Sequence, residues 1–83
     1  MSVIINIKDG SIFEIKLFKM RSISVDKKFL TINYKNDDIK FETKLLESFT
    51  NKFPRSPGEI STQEMILINN LTTILTTILQ NQE

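Results

Sequence analysis

Apolar and polar residues alternate along the first half of the chain: Val3, Ile5 and Ile7; Phe13, Ile15 and Leu17; Ile23 and Val25; Leu30, Ile32 and Tyr34; Ile39 and Phe41. A period of two belongs to strands with one buried face, because successive side chains point to opposite sides. The turns set the register. A three-residue loop, Lys8-Asp9-Gly10 with Gly10 left-handed, puts Ile5 opposite Phe13 and Val3 opposite Ile15. A two-residue loop at Asp9-Gly10 would set Ile5 against Glu14 and Val3 against Lys16, mixing the faces. A tight Lys27-Lys28 turn pairs Val25 with Leu30 and Ile23 with Ile32. A turn at Asn36-Asp37 pairs Tyr34 with Ile39 and Ile32 with Phe41. The pattern predicts an antiparallel β-meander of four to five strands over about residues 2–42, in which 12–25 is either one bent strand or two short ones.

The period then changes. Leu45, Leu46, Phe49 and Phe53 are spaced for a short helix with Thr43 as its cap, and residues 54–59 read as a loop. Farther on, "LTTILTTIL" (71–79) is rich in residues favoured in strands. As a strand, however, neither of its faces would be cleanly apolar. Positions 71, 74, 75, 78 and 79 follow i, i+3, i+4, i+7, i+8 instead, and Leu67 and Ile68 extend the stripe upstream. Ser61 and Glu64 form a capping box, with Ile60 and Met65 at the positions of a hydrophobic staple and Pro57-Gly58 as a turn before it. The prediction is a long amphipathic helix over about 62–80, roughly 28 Å at ~1.5 Å per residue. The whole reads as one α+β domain, residues 1–83: the meander, a short helix, and the C-terminal helix packed on one sheet face. No long repeat is expected, since the Leu-Thr-Thr-Ile echo is helix periodicity.

Composition narrows the chemistry. The 83 residues carry 11 Lys/Arg and 10 Asp/Glu, a net charge of +1. Residues 1–52 hold 10 basic against 7 acidic residues, or +3; residues 53–83 hold 1 against 3, or −2. The chain has no Cys and no His. Disulfides, thiolate nucleophiles and zinc-thiolate sites are therefore excluded, and so is the usual general base near neutral pH. The opening "MSVIINIKDG" has too short an apolar run for a signal peptide, and Met65–Ile68 is far short of a membrane span, so a soluble cytoplasmic protein is expected. Asp37-Asp38 read as turn residues rather than Mg²⁺ ligands. Two glycines allow no phosphate-binding loop, and nothing singles out Lys16, Lys27 or Lys28 as catalytic. The expectation is a non-enzymatic protein without cofactor or metal.

Two surfaces remain as candidates. The polar face of the C-terminal helix (Asn69, Asn70, Thr72, Thr73, Thr76, Thr77, Gln80) is uncharged, and Ile66 points off the main stripe. It reads either as a partner-covered face or as a solvated one. On the sheet, if Phe13, Ile15, Leu17, Leu30 and Ile32 face the core, then Lys16, Phe18, Met20, Phe29, Thr31, Asn33 and Lys40 face outward. Exposed rings among lysines suit a protein interface or a single-stranded nucleic-acid platform; the helix or the N-terminal strand could equally cover them. The expected function is a protein–protein interaction module, an adaptor, regulator or stoichiometric inhibitor of the kind small phage and mobile-element proteins often are. It is expected to be homodimeric and to make contact through Phe18, Met20 and Phe29 or through Ile66, Asn70, Thr73 and Thr77. The alternative is a nucleic-acid-binding module using Lys16, Lys19, Arg21, Lys27, Lys28, Lys35 and Lys40.

The stretch "IKLFKMRSISVDKKFLTINYKNDDIKFETKLLESF" (15–49) resembles the strand pattern of LytTR-type DNA-binding domains, with a run of alternating strands, a Lys/Asp turn and a following short helix. The resemblance implies DNA binding. The next segment, "PRSPGEISTQEMILINN", lacks the basic stretch through which that family contacts DNA, so no DNA-contacting residue is carried over.

Overall fold

The structure, a computed structural model, describes residues 1–52 and 60–82. The expected loop at 54–59, its Pro57-Gly58 turn, and Phe53 of the expected short helix lie outside the described residues. Strands β1 (Ser2–Ile7) and β2 (Ile12–Lys16) form the first hairpin, with Val3 opposite Ile15 and Ile5 opposite Phe13, as the three-residue loop requires. Gly10 has φ 96° and is the one left-handed residue among those described. Ile7 and Gly10 close the loop by donating to Ser11 O (2.9 Å) and Ile7 O (3.0 Å). Strands β3 (Met20–Val25) and β4 (Phe29–Tyr34) pair Ile23 with Ile32 and Val25 with Leu30, also as expected.

The register of β4 with β5 (Asp38–Glu42) differs from expectation. Ile32 faces Ile39 and Leu30 faces Phe41, because the turn is Lys35-Asn36, closed by Tyr34 N–H on Asp37 O at 2.8 Å. A shift of two residues keeps every side chain on its face, so alternation cannot tell the two registers apart. In the observed one Phe41 stacks on Phe13 of β2, with ring centroids 6.1 Å apart.

The larger correction concerns connectivity. Among the described residues six strands form two three-stranded antiparallel sheets, β2-β1-β6 and β3-β4-β5, not one meander. The chain changes sheet twice, each time through a single 3₁₀ turn: Leu17–Lys19 between β2 and β3 (the first corner) and Thr43–Leu45 between β5 and β6 (the second corner). Among the described residues no short α-helix follows Thr43. Leu46–Lys52 is strand β6, paired with β1. Its helix-like spacing has a local cause. Opposite β1, Ser48 faces Asn6 and Leu46 faces Ile7, so Glu47 is an extra, bulged residue. A bulge adds one to the two-residue period, and Leu46 and Phe49 come to lie three apart on the inward face.

Strand β3 contains the same device: Met20 faces Tyr34 and Ser22 faces Asn33, which leaves Arg21 bulged. The likeness runs through the fold. β1-β2-corner-β3 and β4-β5-corner-β6 have the same element order and matching pairings. At both corners the residue after the turn closes it, Met20 N–H on Leu17 O and Leu46 N–H on Thr43 O. Leu17 N–H donates to Met1 O (3.4 Å), and Thr43 N–H to Lys28 O (2.8 Å). Asn6 Nδ2 donates to Ser48 Oγ (3.0 Å), and Asn33 Nδ2 to Ser22 Oγ (2.7 Å). Residues 1–25 and 28–52 thus form an internal two-fold repeat, which was not expected, and α1 lies outside it. Its sequence trace is Ile5-Asn6-Ile7-Lys8 against Ile32-Asn33-Tyr34-Lys35, followed by Met20-Arg21-Ser22-Ile23 against Leu46-Glu47-Ser48-Phe49.

Helix α1 (Thr62–Gln80) occurs where the stripe and cap place it. Ser61 Oγ accepts from Glu64 N–H (3.1 Å) and donates to the Glu64 carboxylate (3.1 Å). Ile68, Leu71 and Leu75 are buried, in a core shared with Val3, Ile5, Ile15, Leu17, Leu30, Ile32 and Leu46. The helix packs chiefly on β6 and the first corner. Its far end reaches the second corner, where Gln82 Nε2 donates to Thr43 O (2.9 Å) and Leu46 O (2.8 Å). Those bonds satisfy carbonyls at a strand–turn junction. Among the described residues no helix is long and apolar enough to cross a membrane.

Candidate functional site

The first corner opens into a groove of about 720 Å³. Lys16 at the end of β2, Lys19 in the 3₁₀ turn, the bulged Arg21 of β3 and Lys35 of the β4–β5 turn all line it, with Glu14 and Asp37 as the acidic members. Four cations meet two carboxylates there, a local excess of +2 on a chain whose total is +1. Two rings join them. Phe18 is 70% exposed, with Lys19 Nζ 5.7 Å from its centroid. The Tyr34 hydroxyl accepts from Lys16 N–H at 3.2 Å, which ties the second hairpin to the end of the first. Partial burial pushes the Tyr34 phenol above its ordinary value, the Lys16 bond opposes this, and the Glu14 charge adds to it.

The seven basic residues of the nucleic-acid alternative divide here. Lys16, Lys19, Arg21 and Lys35 converge on the groove. Lys27 and Lys28 sit at the β3–β4 turn, beside Lys44 and Glu42, which form an ion pair at 3.7 Å. Asp26 organises that turn by accepting from Lys28 N–H (2.8 Å) and Phe29 N–H (2.7 Å). Lys40 lies over the Phe29 ring at 4.4 Å, an intramolecular cation–π contact.

Of the sheet patch Phe18, Met20 and Phe29, only Phe18 stands open. Met20 is buried, 8% exposed, contrary to the outward position expected from alternation. A 3₁₀ turn has three residues per turn, so Leu17 and Met20 fall on the same, inward side while Phe18 points out. Phe29 is half-buried under Lys40.

On α1, Met65 and Ile66 are 41% and 56% exposed. Asn70 and Thr73 line a shallow cleft against Ser22 and Ile23 of β3. The Thr77 hydroxyl turns back onto its own helix, donating to Thr73 O at 2.9 Å. Among the described residues no three of His, Cys, Asp or Glu gather where they could hold a metal ion.

Sequence reasoning missed Tyr34, Glu14 and Asp37 as neighbours of the basic residues. The signal that could have found them is the Ile-Asn-x-Lys recurrence, which puts Tyr34-Lys35 at the end of a strand paired with the bulged one. No family model matches the chain, no curated protein matches its sequence and no solved structure matches its fold. The likeness of residues 15–49 to LytTR-type domains rests on strand spacing, and the short helix it included is strand β6.

Proposed function

We propose that the protein is a non-enzymatic interaction module that pairs through the outer face of α1, first of all with a second copy of itself. It then acts as an adaptor, regulator or inhibitor by covering a surface. The observation that carries this reading is the absence of any charged residue from Met65 to Gln82, together with the exposure of Met65 and Ile66 beside one another. A helix face left to water usually carries Lys/Glu pairs. Here Asn69, Asn70, Thr73, Thr76 and Gln80 are exposed instead. Amides and hydroxyls both donate and accept, so two identical faces related by a two-fold axis can satisfy each other, with no like charges brought together. A small domain also gains from the apolar surface that a dimer buries. The same reading assigns it to the cytoplasm, where a fold without disulfides is at home.

Light scattering at several hundred micromolar tests it. The expected mass is about 19 kDa, twice 9.6 kDa. Ile66→Glu and Thr73→Glu should return the protein to the single-chain mass without unfolding it. A wild-type chain that stays at 9.6 kDa at the highest concentration removes the homodimer.

A further inference from the structure

We propose that the first-corner groove is a binding site for single-stranded nucleic acid, separate from the α1 face and independent of whether that face pairs. The internal repeat supplies the argument, because it provides the same backbone with different side chains. Lys16, Lys19 and Arg21 are matched at the second corner by Glu42, Leu45 and Glu47, and the exposed Phe18 is matched by Lys44. Only Lys35 keeps its charge, as Lys8. At these five matched positions the charge sums to +4 at one corner and 0 at the other, and with Glu14, Asn36 and Asp37 and their counterparts Lys40, Asp9 and Gly10 counted the sums are +2 and 0. The scaffold therefore does not require cations there; the first corner collects them on its own account. The second corner also opens into a groove, of about 630 Å³, where Lys8, Lys27 and Lys44 stand beside Asp26, but no aromatic ring lines it; its turn is tied by Lys8 N–H on Leu45 O (2.8 Å) and by the Gln82 side chain.

The groove holds what a single strand requires. An open aromatic ring gives a base a face to stack on, and cations on both sides of it meet the phosphates that flank the base. Phe18 is the platform. Lys16 and Arg21 flank the corner on its two strands, and Lys35 contributes from the opposite hairpin. Stacking on a lone ring is indifferent to sequence, so the site discriminates single strand from duplex rather than one base from another. An acidic peptide would use the lysines and have no need of Phe18.

Fluorescence anisotropy with labelled poly-dT and poly-U of about 12 nucleotides, within the usual footprint of a single-strand site, tests this at about 50 mM salt. Affinity should fall as salt rises, with a log–log slope of up to roughly 3 if four phosphates are neutralised at ~0.7 each. Lys16→Glu with Arg21→Glu, which copies the second corner, should weaken binding by well over tenfold. Lys27→Glu with Lys28→Glu, which changes charge equally at a site away from the groove, should leave most of it. Phe18→Ala should cost on the order of tenfold and Phe18→Trp should restore it. Thermal melts of each variant report whether the fold is retained. The proposal is overturned if neither oligonucleotide binds, if duplex or an acidic peptide binds as well, if the two double variants lose affinity equally, or if folded Phe18→Ala binds like wild type.

Discussion

At the first corner the chain passes from β2 to β3 with Lys16 before the turn and Arg21 bulged after it; at the second, Glu42 and Glu47 hold those positions. The backbone is alike at both: one 3₁₀ turn, one bulge, one Asn–Ser bond between the bulged strand and its neighbour. The difference lies in what points outward and in what the turn's first residue does. Leu17 is driven into the core and is 1% exposed, whereas Thr43 is half-buried and uses its hydroxyl on the Lys27 and Lys28 carbonyls (3.2 and 3.4 Å). One corner is thus held from inside by apolar packing, which leaves its outer surface free to carry charge. The other is held by hydrogen bonds to the β3–β4 turn and to the helix end. The groove beside the second corner, about 630 Å³, keeps lysines but has no aromatic ring in its lining, whereas Phe18 stands open at the first.

The largest expected effect follows from that contrast. Leu17→Ala removes a fully enclosed side chain and should cost about 2–5 kcal/mol. For a domain of this size that is a large part of a total of roughly 4–12 kcal/mol. Thr43→Val removes only the hydroxyl, and its hydrogen bond should be worth about 1 kcal/mol. Urea unfolding of the two variants separates them. If Thr43→Val costs as much as Leu17→Ala, the two corners are not held in the different ways described.

A smaller effect tests the likeness instead. Asn6 and Asn33 bridge to Ser48 and Ser22 at matching positions, both near the surface. Asn6→Ala and Asn33→Ala should each cost about 0.5–1 kcal/mol, and by nearly equal amounts. The two are far enough apart in their networks to add in the double variant. A difference of more than about 1 kcal/mol in denaturant melts would mean that the repeat is geometric only.

The elements that were legible in the sequence are those made by local chemistry. The capping box at Ser61 and the stripe from Leu67 to Leu79 define α1 without help from the rest of the chain. Gly10, the only residue able to adopt the left-handed turn cheaply, defines the first hairpin. The corners were not legible, because a 3₁₀ turn and a bulge each break the two-residue period without leaving a Gly or Pro behind. Leu46 and Phe49 then imitate a helix, and Met20 imitates an exposed residue. The β4–β5 register was ambiguous for a different reason, since only the contact of Phe41 with Phe13 distinguishes two patterns of equal alternation. The candidate groove inherits both problems: its cations were visible as residues, but which four converge depends on the corner.

The smallest expected effect concerns acid. The turn of the first half carries Asp9, whose carboxylate accepts from Ser11 N–H at 2.8 Å; its counterpart in the second half is Asn36, which does not titrate. Asp26, in the link between the halves, accepts from two backbone N–H groups. Hydrogen bonds to the charged form hold both carboxyls below their ordinary value of 3.8, Asp26 through Phe29 and Lys28 and Asp9 through Ser11. A carboxyl lowered in the folded state stabilises the fold above its unfolded value, and that contribution is lost as pH falls through the folded one. Stability should therefore decline below about pH 4, through the first hairpin and the link, with no matching contribution from the Lys35-Asn36 turn. Asp26→Asn keeps an acceptor oxygen for both N–H groups but removes the titration, so it should flatten the acid limb of a urea-midpoint profile, and Asp9→Asn should do the same for the first hairpin. Carboxyl NMR titration supplies the direct check: Asp26 and Asp9 should both titrate below the ordinary carboxyl value, and either one found at or above it would show that hydrogen bonds to the carboxylate do not govern that turn.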